Sequence, residues 1–407
     1  MKRISRLLAI VLSVILLAGM TCSASATALS AQQELNVYYT LYSLAMESAD
    51  YQDALAQIEA CLAMNVELDD TIWGDLYLKR GYAKIYLGDE ASAMEDINKS
   101  LEYIPTSADA MLLRIQLLVN AADTQGALAQ AESFVKIYPD QLSVYLTIAE
   151  LFAAAVDYES AIAAYTAYIN TPGEKDPSGY QLRGQYLILV GRFEEAIADL
   201  DIYMEKAEEP AIRSRYLRAI ACIQMQQFEK ALEDLNHCAE FVEKAWADGE
   251  EAIAALDTDM MNSHYYRGVV LMQLARYEEA IADFSQCVER DVNKDEATYW
   301  RANSAMEAGD YAAATADFAA CIETGVNVDL SCYYFGICLM AQEEYQDAID
   351  AFSVCVEENI MLEQALYNRG MCYIKIGENE LGKADLTASV ANGETDSAEL
   401  TDEIETK

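Results

Sequence analysis

The sequence predicts an all-α fold: a right-handed α-solenoid built from repeated helix–turn–helix pairs. The first observation is an alanine that recurs along most of the chain, so that Ala280, Ala314 and Ala348 follow one another every 34 residues. Earlier members of this series occur at similar intervals, at Ala54, Ala93, Ala127, Ala161, Ala196 and Ala231. A near-constant period of this length indicates a repeat array.

The second observation is the spacing of side chains around each recurring alanine. Around Ala314, a ring lies three residues before (Tyr311), an apolar residue four after (Phe318) and a small residue seven after (Cys321). Spacings of three, four and seven place side chains on one face of a helix. A further small residue, Ala302, lies twelve residues before the alanine, beyond a glycine-containing turn. Each repeat is therefore predicted to contain two helices joined by a short turn.

This pattern resembles the tetratricopeptide repeat, in which small residues occupy positions 8, 20 and 27 and an aromatic residue occupies position 17. The segment from Arg80-Gly81 to Pro105 follows the pattern closely, as does the segment from Arg267-Gly268 to Cys287. The resemblance implies about ten repeats between residues 35 and 396.

Five segments are predicted along the chain. Residues 35–245 carry repeats 1–6 and residues 261–396 carry repeats 7–10. Between them, residues 246–260 form an insertion, interpreted as a lengthened helix plus a loop and as a hinge. Residues 1–26 form a signal peptide, and residues 397–407 form an acidic tail.

The signal-peptide prediction rests on a basic start, an apolar stretch and small residues. Lys2, Arg3 and Arg6 precede the apolar stretch, and an Ala-x-Ala pattern places cleavage after Ala26 or Ala28. The pattern is typical of bacterial secretion, so the mature protein is predicted to be extracytoplasmic, without a membrane span.

A second recurring pair indicates structure rather than ligand binding. An arginine precedes the small residue at position 8 in six repeats, and an aspartate follows sixteen residues later in each. The pairs are Arg80 with Asp96, Arg183 with Asp199, Arg218 with Asp234, Arg267 with Asp283, Arg301 with Asp317, and Arg369 with Asp385. Where the arginine becomes Ile148 or Phe335, the aspartate becomes Ala164 or Ala351, and Arg114 opposite Gln130 is the one partial exception. Joint loss predicts structural ion pairs, because an unpaired buried charge is costly.

The charge of the chain limits its partners. Lys and Arg total 27 against 68 Asp and Glu, giving a formal net charge of −41. Such a balance excludes nucleic acid, which needs a basic surface, and favours neutral to basic partners with apolar anchors.

The sequence carries no convincing catalytic, cofactor or metal motif. Gly377 to Ala384 approaches a phosphate-binding loop, but Ala384 stands where a hydroxyl is required. The only histidines, His237 and His264, fall in different repeats. The protein is therefore predicted not to be an enzyme and to have no cofactor. Disulfides are conceivable in two cysteine pairs, Cys321 with Cys338 and Cys355 with Cys372. Most cysteines, however, fall at positions predicted to be buried, so the sequence leaves open whether disulfides form.

The resemblance implies that the first helix of each repeat lines a concave binding face. Position 5 of these helices carries tyrosine in the later repeats, at Tyr216, Tyr265, Tyr299, Tyr333 and Tyr367. Position 12 adds Met272, Met306 and Met340. Tyrosine offers broad contact with a polar tip and methionine adapts its shape. These residues are predicted to bind a partner.

The predicted function is a secreted, non-catalytic scaffold that binds a peptide or protein segment in this groove. The alternative is an envelope-assembly or chaperone-like holdase that binds unfolded exported chains through the same tyrosines and methionines. Neither the partner, the pathway nor the oligomeric state is contained in the sequence.

Overall fold

The structure is a computed structural model that describes residues 31–64, 67–172, 176–207, 211–254, 256 and 258–392. The predicted signal peptide and acidic tail lie outside these residues. Within them all regular structure is helical. The helices are α1 Ala31–Glu47, α2 Tyr51–Leu62, α3 Asp70–Tyr86, α4 Glu90–Tyr103, α5 Ala108–Asn120, α6 Thr124–Ile137, α7 Ser143–Ala154, α8 Tyr158–Asn170, α9 Ser178–Leu189, α10 Phe193–Lys206, α11 Ile212–Gln224, α12 Phe228–Asp248, α13 Glu250–Ala254, α14 Ser263–Gln273, α15 Tyr277–Glu289, α16 Lys294–Glu307, α17 Tyr311–Thr324, α18 Val328–Ala341, α19 Tyr345–Glu357, α20 Leu362–Lys375 and α21 Asn379–Ala391. A 3₁₀ helix, Thr258–Asn262, precedes α14.

The chain divides into two compact units, Met1–Tyr186 and Leu187–Lys407. Within each unit, helices that follow one another in sequence pack against each other, as α3 does on α4 and α16 on α17. First helices of neighbouring repeats also touch, at α5 with α7, α14 with α16 and α18 with α20. This consecutive packing is typical of a solenoid, in which each repeat contacts mainly its neighbours. The predicted all-α fold of helix–turn–helix repeats is confirmed.

The core of each repeat forms where small residues meet large ones. Ala314 and Ala348 are fully buried, as are Phe318 and Phe352. A methyl group added at Gly336 would lie 2.7 Å from the Phe352 ring. Such a contact is too close for any side chain, so glycine at this position lets the two helices of the repeat approach.

The turn inside each repeat is closed by the backbone and often by an aspartate. In repeat 8, Gly309 takes a φ of 83°, and Asp310 Oδ1 accepts a hydrogen bond of 3.1 Å from the Ala313 amide. In repeat 9, Glu343 takes the same left-handed region at 64°, and Glu344 makes no side-chain cap. Glycine supplies this conformation without strain, yet several turns use other residues.

The predicted insertion contains the end of α12, α13 and the 3₁₀ helix. Before it, Glu243 faces repeat 7: its Oε2 accepts from Arg290 Nη2 at 2.9 Å and its Oε1 lies 3.0 Å from His264 Nε2. The Arg290 guanidinium also lies 4.9 Å from the centre of the Trp246 ring. The lengthened α12 is thus tied to repeat 7, and the role of residues 246–260 as a hinge stays a prediction.

None of the helices in the described residues is long and apolar enough to cross a membrane.

Candidate interaction surface

The recurring arginines and aspartates lie between the two helices of a repeat. In repeat 8, Arg301 Nε donates to Asp317 Oδ2 at 2.7 Å and Arg301 Nη2 donates to Asp317 Oδ1 at 2.8 Å. Equivalent contacts join Arg80 to Asp96, Arg218 to Asp234, Arg267 to Asp283 and Arg369 to Asp385. Arg183 and Asp199 fall in different compact units, so their pairing stays a prediction.

Each of these paired arginine side chains donates two hydrogen bonds to the aspartate of its own repeat. The hydrogen bond to Asp317 is the main cause that raises the pKa of Arg301, so its charge is permanent. Only 24% of the Arg301 side chain and 15% of the Asp317 side chain are exposed. A guanidinium held in this way is poorly placed to bind an external anion.

Three of the five predicted contact tyrosines are core residues. Tyr216 and Tyr299 are 6% exposed and Tyr333 is 9% exposed. The rings of Tyr299 and Tyr333 meet the phenylalanine of the second helix, at 6.2 Å between ring centres for Tyr299 and Phe318. The Tyr216 ring lies 6.0 Å from that of Tyr266. A partner could reach little of these three side chains, so their main role is to pack the repeat.

The hydroxyl of Tyr333 is also engaged within the protein. Asn368 Nδ2 donates to Tyr333 Oη at 3.0 Å and thereby links repeats 9 and 10. Burial raises the pKa of Tyr265 and of Tyr299, so both stay protonated at neutral pH.

The predicted residues that remain partly exposed are two tyrosines and the three methionines: Tyr265, Tyr367, Met272, Met306 and Met340. All of them lie on first helices of the second unit, namely α14, α16, α18 and α20. We call this set the tyrosine–methionine surface.

Position 6 of the first helices adds rings that the sequence interpretation missed. Tyr266, Trp300 and Tyr334 are partly exposed, and each contacts the position-5 tyrosine before it, at 5.4 Å for Tyr299 and Trp300. Their spacing of 34 residues was visible in the sequence. These three rings add partly exposed aromatic surface beside the tyrosine–methionine surface.

The first helices of repeats 3 and 4, in the first unit, border a small cavity. Its volume is about 300 Å³. It lies between α5 and α7, with Leu112, Gln116, Thr147 and Leu151 among its lining residues. Leu112 occupies position 5 and is 39% exposed, so this stretch offers apolar contact together with amide and hydroxyl groups.

Charged groups of both signs lie on the first helices of the second unit. Glu296 and Glu307 are exposed on α16. Lys375, at the end of α20, is exposed and carries the opposite charge. On α16, a bound segment therefore meets rings, a methionine and carboxylates.

The nine cysteines of the described residues are free thiols, including the two pairs whose oxidation the sequence leaves open, Cys321 with Cys338 and Cys355 with Cys372. Burial raises the pKa of Cys338 to about 12 and that of Cys321 to about 11. Cys332 differs because it is only half-buried. In the same residues, no group of His, Cys, Asp and Glu side chains has the arrangement of a metal site.

The helices form pairs with a shared period, ion pairs join the two helices of a repeat, and the first helices carry an apolar face. These features define a helical repeat protein of the interaction-scaffold class. A family model described as tetratricopeptide repeat matches residues 112–179 and 265–325. A second model with the same description matches residues 74–107. The chain is a tetratricopeptide-repeat protein.

Solved structures of this type resemble the chain weakly. The TPR domain of P58(IPK) is 17% identical, covers 92% of this chain and 98% of its own, and gives a TM-score of 0.31. A tetratricopeptide repeat protein from Parabacteroides merdae is 16% identical, with coverages of 65% and 97% and a TM-score of 0.40. YrrB, described as a TPR protein with an unusual peptide-binding site, is 14% identical, with coverages of 47% and 91% and a TM-score of 0.34. A likeness at this level assigns no partner or activity to the present chain. No curated protein matches the sequence.

Proposed function

We propose that the protein is an exported scaffold that binds a neutral to basic peptide segment with apolar anchors on its first helices. The tetratricopeptide fold indicates a protein–protein interaction scaffold, and proteins of this fold are generally non-catalytic. The finer proposal concerns where the segment binds and what chemistry it carries.

The observation that carries the proposal is the tyrosine–methionine surface. Its five side chains are partly exposed on consecutive first helices. Partly exposed rings and methionines recurring at the repeat spacing provide apolar contact at regular steps along a bound chain. An extended or helical peptide fits such a surface.

The charge of the protein supports a neutral to basic partner. The formal net charge is −41, and Glu296 and Glu307 flank the rings of repeat 8. A basic segment would be attracted to this surface at a distance, whereas an acidic one would be repelled.

Export is part of the proposal and rests on the N-terminal sequence alone. The basic start, the apolar stretch and the Ala-x-Ala pattern are those of a bacterial secretory signal. Expression of the whole chain in a bacterium, followed by N-terminal sequencing of the secreted product, should give a start after Ala26 or Ala28. A product that keeps Met1 and stays inside the cell would contradict export without affecting the binding proposal.

The binding proposal is tested with peptides selected from a random library on the mature protein. The selected peptides should combine large apolar residues with lysine or arginine. A variant carrying Met272→Gln, Met306→Gln and Met340→Gln should bind them at least tenfold more weakly, since each methionine contributes up to about 1 kcal/mol of apolar contact. The melting temperature should change little, because all three side chains are partly exposed.

A matched control is Leu381→Gln, which removes an apolar side chain that is 49% exposed on α21. It should leave peptide affinity unchanged. Equal binding by the triple variant and the wild type would place the partner elsewhere. Binding of unfolded chains regardless of sequence, lost in the triple variant, would favour the holdase over a selective scaffold.

A further inference from the structure

Repeat 9 contains a cavity where other repeats carry their arginine–aspartate pair. Its volume is about 440 Å³. It lies between α17 of repeat 8 and the two helices of repeat 9, α18 and α19. Phe335 and Ala351, the residues that replace the arginine and the aspartate, are both in its lining. The cavity thus lies at the place of the missing ion pair.

Loss of the pair does not by itself open a cavity. In repeat 4 the replacing residues are Ile148 and Ala164, and both are fully buried. In repeat 9 Phe335 and Ala351 are only half-buried. Ile148 borders the cavity between α5 and α7, but Ala164 does not. The space between the two replacing residues is therefore closed in repeat 4 and accessible in repeat 9.

The walls of the cavity are apolar. On α18, Cys332, Phe335 and Leu339 follow the spacing of one helical face, and α17 adds Ile322. On α19, Val354 completes the wall and is 48% exposed, which is high for a valine. An accessible apolar pocket of this size falls in the range of small-molecule sites.

Two carboxylates form the polar part of the cavity. Asp347 and Asp350 are exposed, lie one turn apart on α19 and belong to its lining. Among the described residues, no ion pair or hydrogen bond engages either carboxylate. In repeat 8 the equivalent residues are Ala313 and Ala316. Repeat 9 has therefore exchanged an internal charge pair for an apolar interior with two unpaired negative charges at its edge.

The cavity and the tyrosine–methionine surface lie on different faces of α18. Cys332, Phe335 and Leu339 are centred roughly 110° around the helix from Met340, given about 100° of rotation per residue. A ligand in the cavity would leave the first-helix surface free.

We propose that this cavity is a binding site for a small organic amine with an apolar body, such as an arylalkylamine. The apolar body packs against Phe335, Leu339 and Val354, and the ammonium group lies at the edge beside Asp347 and Asp350. The two carboxylates select a cation, because an anionic ligand of the same shape would face repulsion and a neutral one would gain no charge interaction. The site does not depend on the peptide-binding proposal.

Cys332 provides a reporter for the site within the chain. It lines the cavity and is half-buried, whereas the other eight cysteines of the described residues are buried. Alkylation of the native protein by iodoacetamide, followed by peptide mass mapping, should modify Cys332 first. Since the thiolate is the reactive form, the reaction is run at mildly alkaline pH.

The test compares phenethylamine with 2-phenylethanol, which has the same ring and chain but no charge. Phenethylamine should slow the alkylation of Cys332 in a saturable manner, and 2-phenylethanol should need about fivefold more for the same protection. Saturation-transfer NMR on the ligand gives a second measurement of binding that does not involve the thiol.

Two variants locate the interaction. Asp347→Asn with Asp350→Asn should raise the phenethylamine concentration for half-protection about fivefold and leave 2-phenylethanol unchanged, since exposed charge pairs are individually weak. Phe335→Arg with Ala351→Asp recreates the pair found in repeats 8 and 10, and should abolish protection by both compounds.

Absence of protection and of saturation transfer for both compounds at millimolar concentration would overturn the site. Equal protection by amine and alcohol, unaffected by the two asparagine substitutions, would overturn the preference for a cation. Neither result bears on the peptide experiment, because the methionines of that experiment lie on another face.

Discussion

Repeats 8 and 9 are adjacent, equal in length and alike in their cores, but their charged residues lie at different positions. Repeat 8 places Arg301 and Asp317 between its helices and alanines on the outside of α17. Repeat 9 places Phe335 and Ala351 at the inner positions and aspartates on the outside of α19. The fully buried Phe318 and Phe352 are common to both. The comparison shows that the alanine and ring pattern builds the repeat, whereas the ion-pair position is free to become a surface feature.

The largest effect is expected where the two repeats are alike, in their core tyrosines. Tyr299→Ala and Tyr333→Ala should each lower the free energy of local unfolding by about 3–5 kcal/mol, because a buried ring is removed and a cavity remains. The loss should be greater for Tyr333, since its hydroxyl also accepts from Asn368. Hydrogen exchange of amides in α16 to α19 measures both values. Losses below about 1 kcal/mol would mean that these tyrosines are surface contacts after all.

The ion pair of repeat 8 should show the next largest effect. Asp317→Ala leaves the Arg301 guanidinium partly buried with a single long hydrogen bond to Ser285, and should cost about 2–3 kcal/mol. Adding Arg301→Phe, which reproduces the inner residues of repeat 9, should recover most of this loss. A double variant no more stable than Asp317→Ala would show that the pair is not a self-contained unit.

The reverse exchange in repeat 9 should be nearly neutral. Phe335→Arg with Ala351→Asp should change the free energy of unfolding by no more than about 1 kcal/mol, since a buried ion pair and apolar packing are often of similar worth. Phe335→Arg alone should be clearly worse, because its charge has no aspartate at the inner position. Chemical unfolding of the three proteins, followed by circular dichroism, separates these cases.

The turns of the two repeats should give the smallest effects. Gly309→Ala should destabilise repeat 8 by about 1 kcal/mol, because alanine is strained in the left-handed region. Glu343→Gly should stabilise repeat 9 by about 0.5–1 kcal/mol for the same reason, less the entropy that glycine loses on folding. The two substitutions should change the free energy of unfolding in opposite directions. A stabilising Gly309→Ala would contradict the left-handed conformation assigned to this turn.

The sequence was sufficient to predict the helix pairs, because small and large residues at helical spacing leave few other ways to bury them. It was not sufficient to predict how much of each position-5 tyrosine is exposed to solvent. Tyr299 and Tyr265 occupy the same position, yet one is 6% exposed and the other is partly exposed. Both rings contact a position-6 ring and the phenylalanine of the second helix, so the repeat pattern itself does not distinguish them. The cavity of repeat 9 was missed for a related reason: the loss of Arg and Asp was visible, but whether packing closes the space depends on several helices.

The ion pairs have a consequence for how such a chain can change in length. Since arginine and aspartate lie sixteen residues apart within one repeat, duplication or deletion of a whole repeat adds or removes both charges together. In the repeats that carry the pair, the arginine therefore arrives with its own counter-charge, although Arg218 also contacts Asp201 of the preceding repeat. Arg114 of repeat 3, opposite Gln130, is the exception. The array can thus be lengthened or shortened by whole repeats of the paired type without leaving an arginine unmatched within its own repeat.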